Sequence, residues 1–597
     1  MPPRAPMLLA SAALLTAPAA VLAAPVESIP APAPAVVQVA PGISYQRLVD
    51  PGGQVVHVLR AQRSGLVSIT PRLLTGSPSQ RGGLAATLAA ESAQGAVAAV
   101  NGDFFNLAQA YPSGLTVTAQ QGLTNEPEPT RSALVLGGDG SITAGRFTFT
   151  GTWQTIDATS LPVGIAHGVA GINRPFERAG DTVLYTSAFG TQTPSGGRTD
   201  VLITLDGGGG QLQPNVPLTG TVAQVRSGGG TTIGSGMVLS ASGTPGATLA
   251  ALAPGTRIRI TPTLAGFPTG ALSLGGGPLL VDAGAAVTDA GEGFTSSQLN
   301  PHTARTAIGQ AADGSYLLVS ADGPDQGSPG ITVPQQAQLM QRLGARIAVA
   351  MDSGGSAQML IDGTQMVPWS SPRAVTDGMV LTYSGVRVSQ VPGRITPNGD
   401  GLDDATTARV TAPQPGRLVV TLSGPQGGRH VLLDQTVAPG TVPVPIDPRT
   451  QNIPDGLYRL TAELAPQGGA ATLAGRRLLV DRTLADLQVR PVRQRVGRKA
   501  VPVVRVAFTL TRRAAVNVRF VSSSGAVRAS LAPRGQLAAG RRLLVWNRRA
   551  GRKLVTGTLR VEVVARTGFG RPGLATAVHL ATPPKPKPKP TPKPATG

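Results

Sequence analysis

Two stretches of the chain run as unbroken small apolar residues and then stop abruptly at an acid. Residues 96–100 (AVAAV) lead into Asn101-Gly102-Asp103-Phe104-Phe105-Asn106, and residues 348–351 (AVAM) into Asp352-Ser353-Gly354-Gly355-Ser356. A short, continuously apolar run reads as a strand buried on both faces. Each follows a helix-like segment closed by glycine: residues 84–94 then Gly95, and 333–343 then Gly344. The repeat predicts two helix–glycine–strand–acidic-loop units whose strand ends meet at one site. Between them, residues 199–260 alternate apolar and polar positions between glycine-rich turns, the pattern of antiparallel strands. Beyond Val391-Pro392-Gly393 the alternation continues as all β, with strands expected at 417–422, 430–434 and 456–461, then at 501–510, 515–521, 543–546 and 558–565. The expected fold is an α+β domain with a mixed β-sheet over 42–388, followed by β-sandwiches over 394–480 and 481–581.

Composition sharpens this picture. Glycine (77) and proline (53) exceed a fifth of the 597 residues, which favours short strands and turns over long helices. Arg4, an uncharged run to Leu22 and small residues at 23–24 read as a signal peptide over 1–24, so the mature chain is expected to be secreted or associated with the cell envelope. Residues 25–41 read as a Pro/Ala-rich linker without a fold. The chain has no cysteine, which excludes disulfides, a thiol nucleophile and thiolate metal ligands. With five histidines, His167 and His302 among them, a multi-histidine metal site is not expected.

The net charge of +21 belongs to one end. Residues 481–597 hold 25 Lys/Arg against 3 Asp/Glu, whereas residues 1–480 hold 27 against 28. Residues 582–597 form a Pro/Lys-rich tail, expected to be extended and cationic. Such a module suits an anionic wall polymer or membrane surface. Its scarcity of aromatic residues, together with the export signal, argues against nucleic acid.

An acid with bare backbone amides around glycines suits a polar ligand. The acidic loops do not stand alone: Leu274-Gly275-Gly276-Gly277-Pro278-Leu279, Arg305-Thr306-Ala307-Ile308-Gly309 and Ser371-Pro372-Arg373 accompany them. These five elements, in this order, resemble the phosphodiester glycosidases. That family has an Asn-Gly-[Asp/Gly]-Phe-Phe loop, a glycine-rich turn before Pro-Leu, an Arg-Thr-Ala-Ile-Gly strand, an Asp-Gly-Gly-Gly-Ser loop and a Pro-to-Arg segment. The chain departs from it at Ser353, where the family usually has glycine, and in the longer segment before Arg305.

The resemblance implies hydrolysis of a sugar, N-acetylglucosamine-like, from a sugar-1-phosphodiester in wall or exopolysaccharide material, without a required cofactor. Such chemistry builds positive charge at the anomeric carbon while the leaving phosphate is negative, so it needs carboxylates near the sugar and cations near the phosphate. Asp103 and Asp352 are the catalytic candidates, and the residue types leave open which reacts. Arg305 and Arg373 are the phosphate clamps, a guanidinium fork matching phosphate bidentately; Arg305 as a structural partner is a competing role. Asn101, Gly102, Gly276, Gly277, Thr306, Gly354, Gly355 and Ser356 are the further substrate-binding candidates. Phe104 and Phe105 read as core at a strand end, and His302 as a secondary acid–base candidate. A non-catalytic module binding phosphate-linked glycans and a metal-dependent phosphodiesterase are the alternative functions.

The second module opens with Pro397-Asn398-Gly399-Asp400-Gly401-Leu402-Asp403-Asp404, which resembles the entry of Ig-like domains of the flagellar hook-capping type. Asn398, Asp400, Asp403 and Asp404 suggest a calcium loop in this second domain, but the ligand count is short and the terminal glutamate is missing, so a solvated turn competes.

Overall fold

The segments bearing the two acidic loops lie in two sheets stacked face to face. A computed structural model describes residues 25–28, 36–174, 180–208, 210–287, 291–389, 391–496 and 499–582. The expected signal peptide and the Pro/Lys tail from residue 583 onward lie outside the described residues. One sheet has eight strands, with Arg305–Ala311 and Ala345–Ala350 adjacent inside it. The other has five, with Ala96–Asn101 between Met359–Ile361 and Asp377–Tyr383.

Leu59, Ile308, Leu318 and Val349 of the first sheet share a core with Val97, Val100, Met379 and Leu381 of the second. On its outer face the second sheet is covered by the helix Leu84–Glu91, whose Leu84 and Leu88 pack on Ala96, Ala99 and Val380. The helix Val333–Arg342 covers the first sheet in the same way, placing Val333, Ala337 and Met340 on Ala307, Ala348 and Ala350. This layering, helix on sheet on sheet on helix, is why both runs are alanine-rich: each strand is pressed from two sides, and small side chains let the layers approach.

The repeated unit foreseen in the sequence is present. Thr332 starts the second helix with a capping box, its hydroxyl accepting from Gln335 N at 3.3 Å while Gln335 Oε1 accepts from Thr332 N at 2.8 Å. Gly95 (φ +96°) and Gly344 (φ +85°) then turn the chain through the left-handed region into the strands.

One expectation is corrected. The protein is predominantly β, 52% strand and 8% helix, rather than α+β, because the α-helices among the described residues are short, from 4 to 10 residues, beside extensive sheets. The pairings described in both site-bearing sheets are antiparallel. The mixed sheet expected within 42–388 is a further eight-stranded one, where Gly171–Ile172 and Thr182–Tyr185 run parallel among antiparallel neighbours. That sheet packs with a five-stranded one around Leu123, Val135, Trp153, Leu239 and Ile260. It also holds the antiparallel strands expected over 199–260.

Residues 387–480 form three- and five-stranded sheets around Val388, Leu418, Val420, Val444 and Leu460. From Leu484 onward a second pair of sheets encloses Val504, Phe508, Phe520, Trp546 and Val561. Part of the expected linker is strand: Val36–Ala40 pairs with Ile43–Val49, and Val26–Ser28 pairs with Gly573–Leu580 at the far end of the chain. An open sheet edge accepts any extended segment with free amides, proline-rich neighbours notwithstanding.

Candidate functional site

The two acidic loops are bonded directly to each other. Asn101, fully buried, donates from Nδ2 to Asp352 O at 2.9 Å, and its Oδ1 accepts from Gln358 N at 2.9 Å. Asp352 N donates in turn to Gly102 O at 2.9 Å. Asn101, expected among the substrate contacts, thus ties the strand ends together.

Asp103 is held in a cradle of amides and glycines. Phe104 N donates to its Oδ1 at 2.7 Å and Gly114 N to its Oδ2 at 2.5 Å. A Cβ on Gly275 would collide with Asp103 Oδ2, and one on Gly114 would lie 3.0 Å from it. Asp103 N donates to Asp377 Oδ1 at 2.7 Å, and a Cβ on Gly102 would strike that same oxygen. Glycine at 102, 114 and 275 is therefore what lets a carboxyl group sink into backbone.

The cradle is nearly sealed, with Asp103 2% exposed and Asp377 fully buried. Burial first, and the Asp377 carboxylate second, push Asp103 well above the usual carboxylate range, against the pull of the Gly114 and Phe104 amides and of Arg131. Burial likewise raises Asp377 to about 7, and the Asp352 charge adds to it. Two acids this close in a dry pocket cannot both ionise easily near neutrality. Asp377 Oδ2 is buried without a hydrogen-bond partner among the described residues.

Asp352 sits nearer the surface, half-buried at the end of Ala345–Ala350. Burial raises its pKa too, opposed by the Ser356 hydroxyl, the Ser353 amide at 2.8 Å and the guanidinium groups of Arg373 and Arg131. Ser353, where the resembling family has glycine, contributes its backbone N–H here. Arg373 is exposed; its Nη1 donates to Ser356 Oγ at 3.2 Å, and a Cβ on Gly355 would lie 2.6 Å from its Nη2. Gln358 Nε2 fixes the Arg373 carbonyl at 2.7 Å. Gly354 takes φ +61° to start this turn.

Several expected contacts have other work. Arg305 is not placed as a clamp: 4% exposed, it donates from Nε to Ile331 O at 2.7 Å and from Nη2 to Pro301 O at 2.9 Å and Gln298 O at 3.3 Å, and burial lowers its pKa to about 10. It fastens the longer segment that precedes it. Thr306 is fully buried, its hydroxyl 3.2 Å from Ser320 Oγ. Gly276 and Gly277 pack against the strand leading to Asp352: a Cβ on Gly276 would lie 2.6 Å from Ala350 O, and Gly277 N donates to that oxygen at 2.8 Å. His302 engages Gly330 O through Nδ1 at 3.0 Å. Phe105 is buried at 9%, as expected.

Phe104 has another role: Arg131 lies 5.3 Å over its ring and 4.7 Å over that of Phe294, a cation held between two aromatic faces. Arg131 and Asp377 escaped the sequence reading. Arg131 follows a Glu-Pro-Glu-Pro turn with no motif around it. Asp377 opens its strand instead of closing one, and only the antiparallel register, Gly378 opposite Asn101, brings a strand start beside a strand end.

Among the described residues no group of three His, Cys, Asp or Glu is arranged to hold a metal ion. In the second module's acidic loop, Asp404 accepts from Gly399 N at 2.6 Å and Gly401 N at 2.8 Å, and Asp400 from Leu402 N at 3.0 Å, so these carboxylates already have backbone partners. No helix among the described residues is long and apolar enough to cross a membrane.

Comparison with known proteins bears on the resemblance. A curated relative, the SPbeta prophage-derived uncharacterized protein YomE of Bacillus subtilis (strain 168), is 34% identical over 91 residues, 15% of this chain and 14% of the relative. The match thus spans about a seventh of that protein's length. Among solved structures, a protein of Burkholderia pseudomallei K96243 described as exported is 25% identical at TM-score 0.43, covering 55% of this chain and 74% of that one. The zebrafish N-acetylglucosamine-1-phosphodiester alpha-N-acetylglucosaminidase catalytic domain, auto-inhibited by its pro-peptide, is 13% identical at TM-score 0.26, covering 61% and 88%. The phosphodiester glycosidase family model matches residues 215–382, a span that takes in the glycine-rich turn, Arg305, the Asp352 loop, Arg373 and Asp377. Over residues 215–382, therefore, the chain is similar to the phosphodiester glycosidases.

Proposed function

We propose that this protein is an exported hydrolase that releases a sugar, N-acetylglucosamine-like, from a sugar-1-phosphodiester in cell-wall or exopolysaccharide material. The observation that carries this reading is that the charges of Arg373 and Arg131 both favour the ionised form of Asp352, whose amide bonds Gly102 O beside the buried pair Asp103 and Asp377, in a chain whose residues 215–382 match phosphodiester glycosidases. Arg373 receives the phosphate as a bidentate partner, and Arg131 adds positive potential from between its aromatic rings. A phosphodiester monoanion leaves readily, so the demanding step is attack at the anomeric carbon. Asp352 is the carboxylate for that step, because it is the more accessible of the acids and has a cation beside it. Asp103 is too enclosed to meet a sugar ring directly; it holds a proton with Asp377 and shapes the 102–104 turn against which Asp352 rests.

The basic C-terminal module, with 25 Lys/Arg over 481–597, keeps the enzyme on an anionic wall polymer or membrane surface, an attraction that weakens as salt is added. The catalytic assignment is tested by incubating the full chain with an N-acetylglucosamine-α-1-phosphodiester and following free sugar. Turnover abolished by Asp352→Asn supports it; binding of the diester without turnover overturns it.

A further inference from the structure

The strands Ala133–Leu136 and Leu272–Gly275 pair antiparallel, with Ala133 opposite Gly275, the glycine that packs on Asp103 Oδ2. Beyond that pair the two chains part, one running back to Ser132 and Arg131, the other on to Gly276, Gly277, Pro278 and Leu279. Glu292, 4% exposed, bridges them. Ser132 N donates to its Oε2 at 2.8 Å, and Ser132 Oγ and Leu279 N donate to its Oε1 at 2.7 and 2.8 Å. A Cβ on Gly277 would lie 2.7 Å from Glu292 Oε2 and 3.1 Å from the Phe294 ring, so glycine there leaves room for both.

A buried carboxylate must have its charge met. Glu292 meets it with these three neutral donors, and among the described residues it forms no ion pair. Arg131, the neighbour of Ser132, therefore keeps its charge for another partner. Its guanidinium lies over the rings of Phe104 and Phe294 and, among the described residues, makes no hydrogen bond or ion pair. A ring attracts the charge but supplies no oxygen, so the N–H groups stay available to an anion such as phosphate. Phe104 follows Asp103 directly, and the Arg131 charge favours the ionised forms of both Asp103 and Asp352. The short segment Glu292-Gly293-Phe294 thus fixes the backbone beside Arg131 through its carboxylate and the side chain through its ring.

We infer that Glu292 and Phe294 are positioning residues for Arg131, and that Arg131 so held is an anion-binding residue of the Asp352 site, by which the site takes a phosphate-linked sugar in preference to the same sugar in a neutral glycoside. The inference rests on the Asp352 site taking a sugar phosphate, but its test reads binding and needs no turnover.

The full chain carrying Asp352→Asn is titrated by calorimetry with an N-acetylglucosamine-α-1-phosphodiester and with methyl N-acetyl-α-glucosaminide, its neutral counterpart. The diester is expected to bind more tightly by about tenfold or more, the worth of a hydrogen bond to a charged group. Phe294→Leu, which leaves every bond of Glu292 in place, and Glu292→Ala should each weaken the diester by about the same factor and leave the neutral glycoside unchanged. Glu292→Gln, whose amide oxygen still accepts from Leu279 N and Ser132 Oγ, should fall between the starting chain and Glu292→Ala. Should Glu292→Ala fail to fold, Phe294→Leu decides alone. Equal affinity of the starting chain for the two ligands, weakening of both ligands alike, or no weakening of the diester overturns the inference. The expected pattern in a chain that, with Asp352 intact, releases no sugar from the diester sinks the hydrolase reading and leaves this one standing; sugar release with a KM unmoved by Phe294→Leu does the reverse.

Discussion

The backbone amide of Asp103 donates to the side chain of Asp377 at 2.7 Å, so that two buried acids from different strands share one enclosed space. Their ordinary pKa is near 4, and both are raised, Asp377 to about 7. Between those values the folded state binds more protons than the unfolded chain, so stability at this site is greatest below about pH 4 and falls as pH rises through about 7. Asp377→Asn removes one titrating group, and thermal melts across that window should show a flatter dependence than the wild type. An equal slope in both would contradict the shared-burial picture.

Asp352 and Asp103 should separate on substitution. Asp352→Asn is expected to lower kcat about 10²–10⁴-fold, the usual worth of a positioned acid or base, with a melting temperature close to wild type. Asp103→Asn should lower the melting temperature as well as activity, because its Oδ1 and Oδ2 accept from the Phe104 and Gly114 amides and an amide nitrogen facing one of them would be repelled. Gly275→Ala should behave like Asp103→Asn, since the added carbon collides with Asp103 Oδ2.

The two arginines of the sequence motifs should also part company. Arg373→Gln removes a positive charge that favours the ionised form of Asp352. The acid limb of the pH–rate profile, which depends on Asp352 being charged, should move to higher pH, and KM for the diester should rise. Arg305→Lys should leave KM and the pH profile near wild type and reduce thermal stability, because a lysine cannot reproduce the bonds to the 298, 301 and 331 carbonyls.

Asn101 is a positioning residue. Asn101→Ala leaves the Gln358 amide and the Asp352 carbonyl without their side-chain partner, at about 1–3 kcal/mol for each group left buried and unsatisfied. Asn101→Asp should rescue only the bond from Gln358 N, so activity and melting temperature are expected to fall between those of the wild type and Asn101→Ala.

How far the chain could be read in advance follows from what each feature depends on. The helix–glycine–strand units were legible because left-handed glycines and continuous small apolar runs are local signals, and Gly95, Gly344, residues 96–100 and residues 348–351 carry them. Asp103 and Asp352 were legible as strand ends. The burial of Arg305 was not, because its carbonyl partners come from a loop and from Ile331, 26 residues away. Asp377 and Arg131 reach the site through strand register and aromatic packing, which no spacing along the chain announces. The excess of strand over helix in the 42–388 region was masked by two short helix signals, which set the expected class although strands make up 52% of the chain.

Hydrolysis of an N-acetylglucosamine-α-1-phosphodiester by the full chain in oxygen-18 water tests the central claim most directly, by which bond breaks. Attack at the anomeric carbon through Asp352 predicts that the label appears in the released sugar and that Asp352→Asn abolishes its incorporation. Label in the phosphate product would contradict the account, because it would place the reaction at phosphorus.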